Sequence, residues 1–271
     1  MPLPLPPVFG HLLAVWWGAI WGSFANVCVH RIPRGGSIAW PGSHCPACGE
    51  PIAWHDNIPV LSYALLGGRC RTCQTRISAR YPLIEALVAA ISWLLWQRHP
   101  GSWAYLAEFT FALALVVMSA IDLELKIIPD RLTLPGIPVF FVAGFALDLA
   151  PWKERLAGAG AGYVVVWLLA RAYEKLRGRA GLGLGDGKLL AVVAAFLGAR
   201  ALPVVLTLGS LQGLLVTVPL LLRARRRGRV RSVARTEIPF GPFLALGALE
   251  VLVLGQDRLV GWTLWLLAQV R

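Results

Sequence analysis

The sequence predicts an all-α polytopic membrane protein with about eight transmembrane helices and one small cytoplasmic loop domain. Three observations carry that expectation: long apolar runs, a basic charge pattern that alternates from loop to loop, and four cysteines gathered in one loop. Val8–Val29, Trp103–Ile121, Leu132–Ala150, Gly158–Ala172 and Ala201–Leu222 each approach or exceed the length that crosses a bilayer, about 20 residues. Of the 271 residues, 57% are hydrophobic and only 15% charged, against about 25% in an ordinary soluble domain. Mean hydropathy is +0.64. Any single run could be a buried core helix, but so many clustered runs in so uncharged a chain exclude a soluble protein.

The first run is expected to be a retained helix. Met1–Gly10 contains no Lys or Arg, and no small-residue cleavage site follows, so the two marks of a secretory signal are missing. The net charge of +12 would point to a nucleic-acid partner in a soluble protein, but its location argues for topology instead. Arg223, Arg225, Arg226, Arg227, Arg229, Arg231 and Arg235 crowd between two apolar segments, and short basic loops stay in the cytoplasm. Contact with anionic lipid headgroups is compatible with such a cluster, and no nucleic-acid partner is expected.

Applied loop by loop, the charge rule gives one consistent path. Arg31, Arg34, Arg69, Arg71, Arg76 and Arg80 hold the segment 31–80 in the cytoplasm, which puts the N-terminus outside. A helix from about Leu83 to Trp96 exits, Trp103–Ile121 returns, and Asp122–Arg131 is cytoplasmic. Leu132–Ala150 exits, and a Gly-rich helix through Val164–Ala172 returns to Lys175, Arg177 and Arg179. Lys188–Gly198 exits and Ala201–Leu222 brings the arginine cluster back inside. Phe240–Leu254 and Leu259–Val270 are one exiting helix with an interfacial piece, or two short helices, giving eight spans or nine. The predicted divisions are 1–30, a first transmembrane helix; 31–80, the loop domain; and 81–271, the membrane core. Polar breaks inside apolar runs mark backbone that faces protein or water rather than lipid. Gly181–Gly187 is the strongest, and Ile238-Pro239-Phe240-Gly241-Pro242 is another.

Cys45-x-x-Cys48 and Cys70-x-x-Cys73 are two knuckles 21 residues apart, close to the spacing of four-Cys zinc ribbons. Pro46 and Gly49 supply turns at the first. Two thiolates from each knuckle complete a tetrahedral ion and leave no open position, so the expected zinc is structural. Its binding energy would fold a loop of about fifty residues with little core of its own. Two disulfides are the rival, and the cytoplasmic placement, where thiols stay reduced, weighs against them. Cys28 lies inside the first apolar run and reads as packing.

Acidic residues at membrane depth are functional candidates by default. Asp122 directly follows Trp103–Ile121, and Asp186 lies in Gly183-Leu184-Gly185-Asp186, just before Lys188–Gly198. On the path above both sit at cytoplasmic helix ends. Two close carboxyls share a proton, so one can activate water while the other protonates a carbonyl or leaving group. The glycines would let backbone approach a substrate strand. Plainer roles stay open at this point: Asp122 as an interfacial residue, Asp130 as a helix N-cap, Asp186 as the partner of Lys188.

Gly22-Ser23-Phe24-Ala25-Asn26-Val27, His30-Arg31, both knuckles, Asn57-Ile58-Pro59 and Arg80-Tyr81-Pro82-Leu83-Ile84-Glu85 stand in one order along the chain. They are followed by Ile128-Pro129-Asp130-Arg131-Leu132-Thr133, the Gly-x-Gly-Asp-Gly-Lys-Leu-Leu run around Asp186, and Pro239-Phe240-Gly241-Pro242. Together they resemble the bacterial prepilin peptidases from about Gly18 to Ala248. Ala25 stands where Leu is common and Cys28 where the family varies.

That resemblance implies a bifunctional inner-membrane enzyme whose active site lies at the cytoplasmic face. Such enzymes remove the leader of type IV prepilins or type II secretion pseudopilins, then N-methylate the new N-terminal residue with S-adenosylmethionine. It implies Asp122 and Asp186 as the catalytic pair of a GxGD aspartyl protease, and a genuine zinc module at Cys45, Cys48, Cys70 and Cys73. Asn26, His30, Arg31, Arg80 and Glu85 match family motifs near the cytoplasmic interface and are candidates for the S-adenosylmethionine site, snorkelling and headgroup contact being their other role. The chain has no Gly-rich strand–turn–helix of the nucleotide-binding kind. A transporter would show paired broken helices, and only one strong break lies near mid-chain. A mere scaffold would tolerate replacement of both aspartates.

Overall fold

The computed structural model describes residues 7–178, 183–226 and 239–255, with 258, 259 and 261 beyond. Residues Arg227–Ile238, Gly181-Leu182 and most of Leu259–Val270 lie outside the described residues, and with them most of the arginine cluster and the question of a ninth span. Among the described residues the chain forms nine α-helices and no strand. In order they are α1 Pro7–Arg31, α2 Leu61–Leu65, α3 Arg80–Arg98, α4 Trp103–Leu125, α5 Asp130–Ala146, α6 Trp152–Arg177, α7 Leu184–Leu197, α8 Ala201–Arg226 and α9 Gly241–Leu254. Eight of them have 14 residues or more. Four segments, Val8–Arg31, Trp103–Leu125, Trp152–Leu176 and Ala201–Arg223, are long and apolar enough to cross a membrane. The chain is an all-helical membrane protein.

It folds as two compact units, Met1–Val117 and Met118–Arg271. In the first, α1 and α3 pack antiparallel along a stripe of α1 residues spaced by four, the spacing that keeps side chains on one face. Gly10 faces Trp96, Gly18 faces Ala89 and Ser92, and Gly22 faces Glu85; a methyl group added at Gly18 would fall 2.6 Å from the Cα of Ala89. Small residues on this stripe let the two backbones meet, as in helix pairs that associate inside lipid. Polar groups lock the register. The Ser92 hydroxyl donates to the Ala14 carbonyl at 2.5 Å, and the Asn26 amide donates to Tyr81 O at 3.1 Å.

In the second unit α7 packs against α5, α6, α8 and α9. Every residue from Leu189 to Leu197 is buried, the mark of a helix that is apolar all round and lies at a core. Glycines again set the closest approach: a methyl group at Gly158 would lie 2.8 Å from Ala199 Cα, and one at Gly162 would lie 3.1 Å from Leu190. Arg155 is fully buried at the start of α6; its guanidinium donates to Phe141 O at 2.8 Å and stacks over the Phe141 ring.

Some expectations need correction. The Gly-rich helix expected to end at Ala172 runs on to Arg177, so the backbone of Lys175 and Arg177 is helical rather than part of a loop. Arg179 lies outside the described residues. The break expected at Gly181–Gly187 is shorter: Gly183 caps α7, and Leu184, Gly185, Asp186 and Gly187 are already helical. Their glycines serve contact rather than looseness, since a methyl group at Gly187 would fall 3.1 Å from Val166 and one at Gly185 3.1 Å from Ile128. Asp130 is the first residue of α5, not its N-cap, which is Pro129.

Candidate active site and thiolate module

Asp122 lies in the last turn of α4 and is buried, 6% exposed. Four residues later the chain turns: Lys126 adopts a left-handed φ of 56°, its amide bonding back to Asp122 O at 2.9 Å, which ends the helix. The carboxylate accepts the backbone N–H of Gly241 at 3.1 Å. Gly241 opens α9, so the donor is one of the free amides of a helix N-terminus, where the dipole favours negative charge. Only glycine fits there. A Cβ at 241 would stand 2.7 Å from Asp122 Oδ2 and 3.0 Å from Ile128.

Asp186 sits in the first turn of α7, half-buried, with its amide bonded to Gly183 O at 3.1 Å. It is close enough to Asp122 for the two to interact electrostatically. Ile128, buried in the α4–α5 connection, is wedged between the elements that carry them, touching the spaces left open at Gly185 and Gly241. Lys188 pairs with Asp130, not with Asp186. The structure therefore brings Asp122, Asp186, Ile128 and Gly241 together, while Lys188 is engaged by Asp130. Two neighbouring carboxyls that share a proton can supply an acid and a base at once.

The loop between α1 and α3 carries the thiols. All five cysteines are free. The Sγ atoms of Cys45, Cys48, Cys70 and Cys73 lie within 4.8 Å of one another, and Cys45 Sγ stands 3.8 Å from Cys73 Sγ. Zn–S bonds of about 2.3 Å in tetrahedral order place neighbouring sulfurs about 3.8 Å apart, so the donor set fits such an ion. The two knuckles are built alike. Cys45 N donates to Glu50 O and Gly49 N to Cys45 O; Cys70 N donates to Thr75 O and Gln74 N to Cys70 O. Isolated bridges close each turn, His44 with Pro51 and Arg69 with Arg76. The fourth position after each first cysteine is left-handed, Gly49 at φ 75° and Gln74 at φ 57°. Hydrogen bonds from the Thr75 hydroxyl and amide hold the Cys73 thiol down to about 6, while desolvation and the neighbouring thiols push Cys48 up, so without a metal the four sulfurs share protons unequally.

The other candidates divide by task. Asn26 braces α1 on α3, and Glu85 accepts the Val60 amide at 2.7 Å, fastening the loop to α3. Arg31 donates to Ser37 O and Gly42 O and so ties the loop to the end of α1. Arg80 lies over the Tyr81 ring, and His30 is exposed. Asp56, outside the expected set, holds Arg71 by two bonds of 2.7 and 2.6 Å, and that guanidinium keeps its carboxyl below the usual range.

An all-helical membrane protein with a carboxyl pair on helix ends and a four-thiolate loop defines a class. Comparison with known proteins assigns the member. Residues 16–99 match the Bacterial Peptidase A24 N-terminal domain, and residues 109–218 match the Type IV leader peptidase family. A protein of Aeromonas salmonicida (strain A449) is 38% identical over 273 residues, covering 90% of each chain. One of Burkholderia pseudomallei (strain K96243) is 38% identical over 280 residues, covering 93% of this chain and 87% of its own. One of Neisseria gonorrhoeae is 34% identical over 286 residues and 96% of each. Each bears the name prepilin leader peptidase/N-methyltransferase. No solved structure matches. The chain belongs to the type IV leader peptidase family.

Proposed function

We propose that this chain is a bifunctional prepilin peptidase and N-methyltransferase of the bacterial inner membrane, with Asp122 and Asp186 as its catalytic pair. The carrying observation is the placement of the two carboxyls around Ile128, which meets Gly185 next to Asp186 and Gly241, whose amide bonds Asp122. One carboxylate takes a proton from water as its oxygen attacks the scissile carbonyl. The other carboxyl donates to the carbonyl oxygen, and a proton then passes to the departing amine as the C–N bond breaks. The Gly241 N–H orients Asp122 throughout, which is a positioning task.

The substrates are type IV prepilins or type II secretion pseudopilins. Basic loops keep residues 31–80 in the cytoplasm and the N-terminus in the periplasm, so cleavage falls at the cytoplasmic face, where a basic leader meets an apolar helix. Cys45, Cys48, Cys70 and Cys73 hold one structural zinc. S-adenosylmethionine, when bound, supplies the methyl group, and the chain's part is to bind the freed amine in its neutral, nucleophilic form. The test is to incubate purified protein with a prepilin and labelled S-adenosylmethionine and to score cleavage and methyl transfer separately. Leader cleavage that survives Asp122→Asn or Asp186→Asn overturns the protease assignment.

A further inference from the structure

A cavity of about 310 Å³ lies in the first unit, walled by one face of α1 and by the loop segment Ile38–Ser43. Neither the carboxyl chemistry nor the metal uses it. Its α1 wall contributes Ser23, Phe24, Val27 and Arg31, and its loop wall includes Ser43 and Asn57. These residues draw on Gly22–Val27, His30-Arg31 and Asn57-Ile58-Pro59, three segments singled out in the sequence to which peptide cleavage gives no task.

We infer that this cavity binds the methyl donor, S-adenosylmethionine; the inference rests on the methyltransferase reading above and gives it a place. The volume stands at the lower end of sites for small ligands, which begin near about 300 Å³. The lining has three parts. Phe24 and Val27 offer an apolar surface suited to the flat face of a base. Ser23, Ser43 and Asn57 supply hydroxyl and amide groups for a ribose. Arg31 is the one charged residue of the lining, and the amino-acid carboxylate of the donor is the group that would pair with its remaining N–H donors. Arg31 is held in place by bonds to Ser37 O and Gly42 O, and its guanidinium has five N–H donors in all. A purely apolar occupant such as a lipid tail would leave the Asn57 amide, and the Arg31 N–H groups beyond those two bonds, without a partner.

This reading also gives the thiolate module a purpose. Ser43 O accepts the Ile52 amide at 2.9 Å, and His44 pairs with Pro51, so the wall of the cavity is continuous with the first knuckle. A metal that fixes Cys45 and Cys48 thereby fixes Ser43. Of the five residues proposed from sequence, only Arg31 lines the cavity; Asn26 and Glu85 brace the helices and loop around it.

The experiment uses the full chain in lipid nanodiscs. Ultraviolet cross-linking to labelled S-adenosylmethionine, followed by trypsin, is expected to leave the label in the peptides Met1–Arg31 or Gly35–Arg69. Equilibrium dialysis then compares Ser43→Trp, which fills the cavity, with Leu65→Ala, which lies on the same loop but outside the lining. Ser43→Trp is expected to weaken donor binding at least tenfold while zinc content stays that of the parent, and Leu65→Ala to leave binding unchanged. Label confined to other peptides, undiminished binding by Ser43→Trp, or an equal loss in Leu65→Ala overturns the site. A parent protein that binds no S-adenosylmethionine defeats the methyltransferase reading as well. A parent that binds it and cross-links elsewhere defeats this site alone.

Discussion

The thiolate loop and the carboxyl pair are held by opposite means. The loop from Arg31 to Ala79 has two isolated bridges, one short helix and one 3-10 turn, and it leaves Trp40, Trp54 and Leu65 more than three-quarters exposed. It has almost no apolar core, so its order rests on the four-sulfur cluster, the backbone bonds of the knuckles and a few polar side-chain bonds such as Arg71 to Asp56. The carboxyl pair stands on α4 and α7, and α7 is buried from Leu189 to Leu197 among four helices. With the proposed zinc bound, removing that one ion should undo the first region. The other can be undone only by altering what packs, or by changing the reacting groups themselves. Function placed on a loop is adjustable but conditional; function placed on packed helices is not.

The largest effect should come from the reacting groups. Asp122→Asn and Asp186→Asn are each expected to lower leader cleavage by at least about a hundredfold, the low end of what a positioned acid or base contributes. Both variants should keep the metal content of the parent, because the thiols belong to the other unit. A variant that cleaves at a tenth of the normal rate would remove its aspartate from the catalytic pair.

Metal removal is the complementary break. Chelation, or Cys45→Ser with Cys70→Ser, is expected to expose the loop to trypsin at Arg69, Arg71 and Arg76 and to abolish methyl transfer. Cleavage should stay within about threefold, since binding energy of a structural zinc is folding energy for the module that holds it. Loss of cleavage in step with loss of zinc would erase the contrast between the two regions.

Most of this division was legible in the residues. Apolar runs announced the helices, the two Cys-x-x-Cys pairs announced the module, and the two aspartates stood out because charge is rare at membrane depth. Gly241 was visible only as a break between prolines. Its task, presenting an amide to Asp122, depends on α9 arriving 119 residues further along the chain, which no local pattern encodes. Ile128 was one apolar residue among many for the same reason. Gln74 was missed differently: glutamine rarely takes a left-handed φ, and only the repeat of the first knuckle's hydrogen bonds, with Gly49 at the equivalent place, makes that conformation intelligible. Gly185 and Gly187 were read as room for a substrate strand, whereas the fold sets Ile128 and Val166 against them, because a glycine's sequence neighbours do not reveal what faces it.

Those packed glycines give an intermediate effect. Gly241→Ala sets a methyl group 2.7 Å from the Asp122 carboxylate, so the carboxylate or α9 must shift by some tenths of an ångström. Cleavage is expected to fall about tenfold through kcat, with KM near the parental value, since misplacing a catalytic group by about 1 Å can cost a hundredfold. Gly185→Ala, at 3.1 Å from Ile128, should do less. A rise in KM alone would mean that Gly241 shapes the substrate channel rather than Asp122.

The smallest effect sharpens the comparison most. If the two regions do separate work, Asp122→Asn should block methylation of a full-length prepilin, because no free amine is produced, yet leave methylation of a pre-cleaved pilin within about twofold of the parent. Methyl transfer requires a neutral amine and a bound donor. It requires no acid–base pair on a peptide bond. The substitution is nearly isosteric and keeps an oxygen to accept the Gly241 amide, so α9 has no reason to move. The measurement is label transfer from S-adenosylmethionine to both substrates, side by side, with zinc content as the check on folding. Failure on the pre-cleaved pilin by a folded, zinc-loaded variant would mean that Asp122 also serves methyl transfer, and the two regions would then form one site.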